Sequence, residues 1–296
     1  MALEKIEKCP LCNGSDFRFK LTCTDFTTTK KEFRLVQCST CNFILTNPRP
    51  DSEGIGVYYK SESYISHTGG YKNLLDKIYV ITRYFSLKKK RKIIETSSQS
   101  RSLLDYGCGT GEFIKVCKVS GWAVTGIEPS LEARNKARKL NDTKIYANIS
   151  EVTDCQFDAI TLWHVLEHVH ELRNTLENLV KLLKPNGTIF IAVPNHESWD
   201  AIHYRDHWAA YDVPRHLWHF SKDNMDMLLS KYEMKLSKIL PMKLDAYYVS
   251  LLSEKYQNPN QASFKRYLNG FINGLKSNIN ARGKNNYSSL IYVFKR

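Results

Sequence analysis

The chain has 296 residues, 43 Lys and Arg against 30 Asp and Glu, and 8 cysteines. That length predicts about two domains with a full core, and no apolar run approaches the roughly 20 residues of a membrane span. Met1-Ala-Leu-Glu-Lys5 is no secretory signal, so the cysteines predict a cytoplasmic, reducing setting and metal ligands or spare thiols rather than disulfides.

The net charge of +13 is uneven: residues 1–100 carry +7, residues 101–200 carry −2 and residues 201–296 carry +8. Basic flanks around a near-neutral centre suit an anionic partner, and a solvated basic surface accounts for the same count.

Residues 1–50 open on Cys9-Pro-Leu-Cys12 and close on Cys38-Ser-Thr-Cys41. Between them Phe17-Arg-Phe-Lys-Leu21 and Phe33-Arg-Leu-Val36 alternate apolar and polar residues, as hairpin strands do. Two such knuckles bring Cys9, Cys12, Cys38 and Cys41 to tetrahedral Zn²⁺ spacing. Four protein ligands close a site, so the zinc is expected to be structural, stapling a segment too short for a large core. Cys23, Cys108, Cys117 and Cys155 lack such spacing and read as ordinary thiols.

Asn47-Pro-Arg-Pro-Asp51 reads as a linker, and residues 51–98 as linker plus helical lead-in. Tyr58, Tyr59 and Tyr64 suit either a pocket wall or packing between domains. Leu74, Leu75, Ile78, Ile81 and Phe85 follow a helical period into the basic run Lys88–Lys92.

Leu103-Leu104-Asp105-Tyr106-Gly107-Cys108-Gly109-Thr110-Gly111-Glu112 is an apolar strand, a turn with glycines at alternate positions, and a helix start. Glycine there permits positive φ and close approach of a ligand. Bare amides at a helix start favour phosphate, whereas Asp105 and Glu112 favour an ammonium or sulfonium. Trp122–Ile127 reads as the next strand, with Glu128 placed to accept ribose hydroxyls. A plain βαβ turn with a capping acid is the ordinary alternative.

This run resembles motif I of class I S-adenosylmethionine-dependent methyltransferases. The resemblance implies S-adenosylmethionine held by Asp105, Gly107, Cys108, Gly109 and Gly111 at the turn. Glu128 and Pro129 follow the second strand, and Asn148, Ile149 and Trp163 lie at the third and fourth strand ends. It also implies an α/β, Rossmann-like sheet of seven strands, six parallel and one antiparallel, with helices on both faces. With the β-rich zinc ribbon in front, this domain would cover residues 99–296.

Phe157–Leu162 is the fourth strand, and it runs into Trp163-His164-Val165-Leu166-Glu167-His168. His164-x-x-Glu167-His168 matches a zinc-peptidase pattern. That chemistry needs the pattern inside a long helix, and here it begins at a strand exit. Glu167 and His168 are expected to fix the following helix start. Leu172–Leu183 reads as an amphipathic helix stopped by Lys184-Pro-Asn-Gly187, and Thr188–Val193 as the fifth strand.

Residues 195–220 have no clear period and hold five histidines, His196, His203, His207, His216 and His219, so they read as a substrate loop. His203 and His207 have metal-ligand spacing without a supporting carboxylate. Tyr211-Asp-Val-Pro-Arg215-His216-Leu-Trp-His-Phe-Ser221 resembles bacterial methyltransferases with a four-cysteine zinc domain, sugar C-methyltransferases among them. The resemblance puts His216 forward as general base, with His164 and Tyr211 lining the acceptor site. The expected acceptor is a small molecule, anionic or a nucleotide-linked sugar. A helix after Ser221, a strand at Leu236–Leu240, two helices across 245–279 and a strand at Ser288–Phe294 complete the pattern. Those sugar enzymes carry a further C-terminal domain, whereas this sequence stops at the seventh strand. A zinc-ribbon RNA methyltransferase, which the basic flanks suit, and a non-catalytic cofactor-binding module are the alternatives. Oligomeric state is not legible.

Overall fold

The computed structural model describes residues 3–59, 86–96 and 101–296. The expected pocket tyrosine Tyr64 and most of the lead-in helix lie outside them; residues 86–95 are helical.

The N-terminal part is built from β1 (Leu3–Glu4), β2 (Phe17–Thr24), β3 (Glu32–Cys38), β4 (Ile44–Thr46) and β5 (Arg49–Pro50). Pairing of β2 with β3 sets Phe17 opposite Cys38 and Thr24 opposite Glu32. The two knuckles repeat one geometry. Asn13 N–H donates to Cys9 C=O and Asn42 N–H to Cys38 C=O. Asn13 and Asn42 both take left-handed φ, 64° and 60°. Asparagine tolerates that region better than most residues.

The larger part has β6 (Ser102–Tyr106), α1 (Glu112–Val119), β7 (Ala123–Ile127), α2 (Leu131–Asn141), β8 (Ile145–Tyr146), β9 (Phe157–Trp163), α3 (Leu172–Lys181) and β10 (Leu183–Pro194). It continues through α4 (Trp199–Tyr204), β11 (Trp218–His219), α5 (Lys222–Ser230), β12 (Lys235–Pro241), α6 (Asp245–Gln257), α7 (Ser263–Ala281) and β13 (Ser289–Lys295). Seven strands form one sheet in the order β12-β13-β10-β9-β6-β7-β8. Only β13 runs against the others. Helices cover both faces, so central strands are apolar throughout rather than alternating; Thr188–Val193 and Ser289–Phe294 are buried at every position.

Three local readings differ from the sequence expectation. α3 ends at Lys181, and Lys184–Gly187 is an irregularity within β10, whose register shifts between Leu183 and Thr188. Asn47–Pro50 is packed rather than loose: Asn47 Oδ1 accepts from Ile6 N–H at 3.0 Å, and Arg49 is buried beside Glu4.

Residues 195–220 are mostly buried and contain α4, short helical turns and β11. Strand β11 pairs with β4, Trp218 opposite Leu45 and His219 opposite Ile44, to give a four-stranded sheet ordered β11-β4-β3-β2. Arg173 Nη2 donates to Asn13 Oδ1 at 2.7 Å, Asn224 Nδ2 to Cys41 C=O at 3.0 Å, and the Arg49 guanidinium lies 4.3 Å above the Trp218 ring. The ribbon is thereby bonded into the body through α3, α5 and the segment that carries the histidines.

Candidate active site

The turn after β6 is shaped by what each glycine faces. Gly107, Gly109 and Gly111 have φ of 73°, 56° and 83°. A Cβ on Gly107 would lie 2.5 Å from Val165, and one on Gly111 2.5 Å from Asn141, whereas one on Gly109 would meet nothing within 4 Å. Two glycines therefore serve packing, and Gly109 opens onto space a ligand can use.

The N–H groups of Gly107 and Cys108 both donate to Ile127 C=O, at 2.8 and 3.0 Å. Cys108 thus spends its amide on the β7 junction, and burial pushes its thiol pKa up. Gly109 N–H donates to Glu128 Oε2 at 2.8 Å, and Ser130 N–H to Glu128 Oε1 at 2.9 Å. Glu128 therefore leans over the glycine turn from the end of β7, with Pro129 exposed beside it.

Asp105 lies beneath this turn. It is buried and accepts the Thr161 hydroxyl at 2.7 Å. Burial raises its pKa from 3.8 to about 7, against the pull of Thr161 and Lys90. A carboxylate held so dry gains most from a cationic ligand group.

At the third strand end, the Asn148 N–H and side-chain amide donate to Glu151 at 3.1 and 3.3 Å. Asn148 thus caps a short helical turn, Ile149–Glu151. The half-buried Trp163 ring meets Phe113 edge-on at 5.4 Å and carries the Lys90 ammonium 4.7 Å above its face. Its indole N–H has no partner among the described residues.

Next to it, His164 takes φ 57°, a strained setting for a non-glycine residue. Its Nε2 is 3.1 Å from Asp245 Oδ2 and its Nδ1 is 3.4 Å from Glu167 Oε1. Burial disfavours the imidazolium, but the two carboxylates outweigh it and raise the pKa to about 9. Glu167 is fully buried, and neither of its oxygens accepts a hydrogen bond among the described residues. Burial would raise its pKa, but His164, His216 and His168 hold it below the usual carboxylate value.

Glu167 and His168 sit in a single helical turn, Leu166–His168. No long helix carries the His-x-x-Glu-His pattern, so its peptidase reading fails. His168 meets His216 edge-on at 4.6 Å, and burial together with His216 lowers its pKa to about 4. The Nδ1 of His168 lies 3.1 Å from Arg215 C=O, and the Nδ1 of His216 lies 2.9 Å from Ala210 C=O. A carbonyl only accepts, so the Nδ1 of His216 carries the hydrogen, while the Nδ1 of His168 also lies 3.0 Å from the Tyr59 hydroxyl. The Nε2 of His216 lies 3.8 Å from Asp212 Oδ2.

Arg215 is buried. Its Nε donates to Asp212 Oδ2 at 2.9 Å and its Nη1 to Tyr58 C=O at 2.8 Å, while Nη2 bonds both Asp212 Oδ1 and Thr27 Oγ1. Burial would raise the Asp212 pKa, and the guanidinium holds it low instead.

Tyr211 is buried. Its ring packs on Trp208 at 5.0 Å and His219 at 5.4 Å, in the core cluster shared with Cys23, Phe33 and Tyr58 of the ribbon side. It supports the histidine segment from behind. His203 stacks on Trp199 at 4.7 Å and His207 contacts Asp206, so that pair forms no metal group among the described residues.

A crevice opens beside His164 between residues 86–93 and the β12–α6 turn, lined by Lys89, Lys90, Lys243 and Asp245. Asp245 was not singled out from the sequence, where Lys90 is read only as part of the basic run Lys88–Lys92. Asp245 lies 81 positions from His164, and no local spacing reveals such a partner.

The four ribbon thiols form a separate cluster. Cys9 Sγ is 3.6 Å from Cys41 Sγ and Cys12 Sγ is 3.5 Å from Cys38 Sγ. These separations are far too long for disulfides and close to the roughly 3.8 Å edge of a tetrahedron with 2.3 Å Zn–S bonds.

This strand order, an open glycine turn and an acid at the end of the next strand define a class I S-adenosylmethionine-dependent methyltransferase. The chain belongs to the methyltransferase-domain family, whose profile matches residues 79–237, more than half of its length. It is 32% identical over 108 residues to the ubiquinone biosynthesis O-methyltransferase of Actinobacillus pleuropneumoniae serotype 5b, covering 32% of this chain and 46% of that protein. With its namesake from Rickettsia akari it shares 30% over 129 residues, 41% of this chain and 51% of the relative. The chain thus spans about half the length of the curated relatives it matches. Among solved structures, magnesium protoporphyrin IX methyltransferase from Synechocystis PCC 6803 with bound SAH has the same fold, with a TM-score of 0.55 at 11% identity, covering 83% of this chain and all of that one.

Proposed function

We propose that the protein methylates an oxygen, or an acidic carbon, of a small anionic acceptor, with His216 taking the proton. The observation that carries this reading is the anchored Nδ1–H of His216, which fixes the ring edge-on to His168 at the strand-four exit and leaves Nε2 as the atom to take a proton. S-adenosylmethionine, when bound, supplies the activated methyl group; the protein's own work is alignment and proton removal. Asp105 and the Gly107–Gly111 turn face the charged end of the cofactor, and Glu128 its ribose. Pro129, Asn148, Ile149 and Trp163 border the base.

His164, cationic between Asp245 and Glu167, and the lysines of the adjoining crevice favour an acceptor bearing negative charge. The name of the curated relatives favours a hydroxyl as the attacking group. Histidine in such a role contributes typically 10²–10⁴-fold. Cys9, Cys12, Cys38 and Cys41 hold a structural Zn²⁺ in a reducing compartment, and all ligand positions are filled by protein.

The test is methyl transfer from labelled cofactor by a His216→Asn variant, with cofactor affinity measured in parallel. Loss of turnover at unchanged affinity supports the base assignment; unchanged turnover removes His216 from the chemistry.

A further inference from the structure

Helices α6 and α7 form a hairpin inserted between β12 and β13. Glycines bring them into close contact: a Cβ on Gly274 would lie 2.7 Å from Tyr247 Cα, and one on Gly270 would lie 2.8 Å from Leu251 Cα. The buried face of α7 is polar. Asn273 Nδ2 donates to the Tyr204 hydroxyl and to Glu254, both at 3.0 Å, and Ser277 Oγ donates to Asp200 at 2.7 Å.

The outward face is apolar: Phe264, Leu268, Phe271, Leu275 and Ile279, at i, i+4, i+7, i+11 and i+15, are 41–79% exposed. A helix on a water-facing surface has the reverse arrangement. Its charge is equally one-sided. Helix α7 carries Lys265, Arg266 and Lys276 and no acid. The hairpin's two acids, Asp245 and Glu254, are turned inward onto His164 and Tyr204.

We propose that this face of α7 docks on a lipid bilayer bearing anionic headgroups. Apolar and aromatic side chains on one side with only cations around them match the interfacial helices that lie in the headgroup plane. Pairing with a second copy would set two acid-free cationic faces against each other. An RNA surface would use stacking aromatics rather than Leu268, Leu275 and Ile279. No helix among the described residues is long and apolar enough to cross a membrane, so α7, about 28 Å long, lies along the surface. The hairpin begins at Asp245, the partner of His164, which links the docking face to the acceptor crevice.

The experiment is flotation of the full chain with phosphatidylcholine vesicles, with and without about a third phosphatidylglycerol. The protein should float only with the anionic vesicles. Leu268→Glu with Leu275→Glu should weaken binding at least about tenfold, with SAH affinity and far-UV circular dichroism retained. Lys265→Gln, Arg266→Gln and Lys276→Gln together should weaken it by a similar factor, as should high salt. The proposal is overturned if neither vesicle carries the protein up, or if the leucine variant floats as wild type does. It is equally overturned if those leucines instead hold together a dimer, or an RNA complex, that ignores vesicles.

Discussion

Replacing Asp105 by asparagine should stabilise the ligand-free protein at alkaline pH while weakening its grip on the cofactor. Asp105 is 2% exposed and its pKa is raised by burial from 3.8 to about 7. A carboxyl whose folded-state pKa is raised adds stability that is complete below the unfolded value. That stability is lost as pH rises through the folded value. At about 1.4 kcal/mol per pH unit, the three-unit window gives an upper figure of roughly 4 kcal/mol at pH 8.

Asparagine keeps the acceptor that Thr161 donates to, at 2.7 Å in the wild type, and carries no charge to desolvate. The variant should therefore melt higher than wild type at pH 8, by roughly 4–12 °C, and the difference should shrink by more than half at pH 5 and vanish only below the unfolded value of 3.8. Affinity for SAH should fall about tenfold or more, because a charge-assisted contact to the ligand's ammonium is lost. Thermal denaturation across pH and calorimetric titration read the two effects separately. A variant that melts lower at pH 8, or a difference of the same size at pH 5 and 8, would refute the account of Asp105 as a dry carboxylate.

Gly111→Ala should cost about 1–3 kcal/mol in chemical denaturation, since its Cβ would lie 2.5 Å from Asn141 at φ 83°. Gly109→Ala meets no neighbour, so its stability loss should stay near 1 kcal/mol and its main effect should appear in cofactor titration. Cys38→Ser, or treatment with a strong chelator, should release one zinc per chain by elemental analysis and abolish turnover, because the ribbon's β4 pairs with the histidine-bearing β11. Arg215→Lys should lose the bidentate contact to Asp212 and lower stability by about 3 kcal/mol; a melting curve unchanged from wild type would contradict the role given to this pair. His164, raised to about 9, contributes ion-pair stability that is present below pH 6.5 and lost as pH climbs past 9; His164→Asn should flatten that alkaline loss in a stability–pH profile.

The parts of the molecule legible from sequence are those written in consecutive residues. The glycine turn, the seven strands and the cysteine knuckles each carry their signal within about ten positions, because backbone φ, strand burial and tetrahedral ligation constrain neighbours along the chain. What escaped was decided by contacts across the fold. The resemblance alone places Tyr211 at the acceptor site, and no local spacing reveals that its ring packs against Trp208 and His219. Asp245 gave no sign that it would meet His164, and a two-residue strand such as β11 is too short for periodicity to reveal.

That short strand explains why residues 195–220 are ordered without a period of their own. Their backbone is satisfied by the ribbon: Thr46 N–H donates to Leu217 C=O at 3.0 Å, and the Thr46 hydroxyl donates to His216 C=O at 2.7 Å. Arg215 extends the tie to Tyr58 C=O and Thr27. From the other side, Leu217 N–H reaches Glu167 C=O at 2.8 Å, so the strand-four exit and the ribbon hold opposite edges of the same segment. The position of His216 relative to His164 is therefore set jointly by the nucleotide-binding sheet and by the four-cysteine ribbon. On the proposed assignment of His216 as base, zinc held by the four ribbon thiols would act on catalysis at a distance, through the register of β4 against β11, without touching a substrate atom.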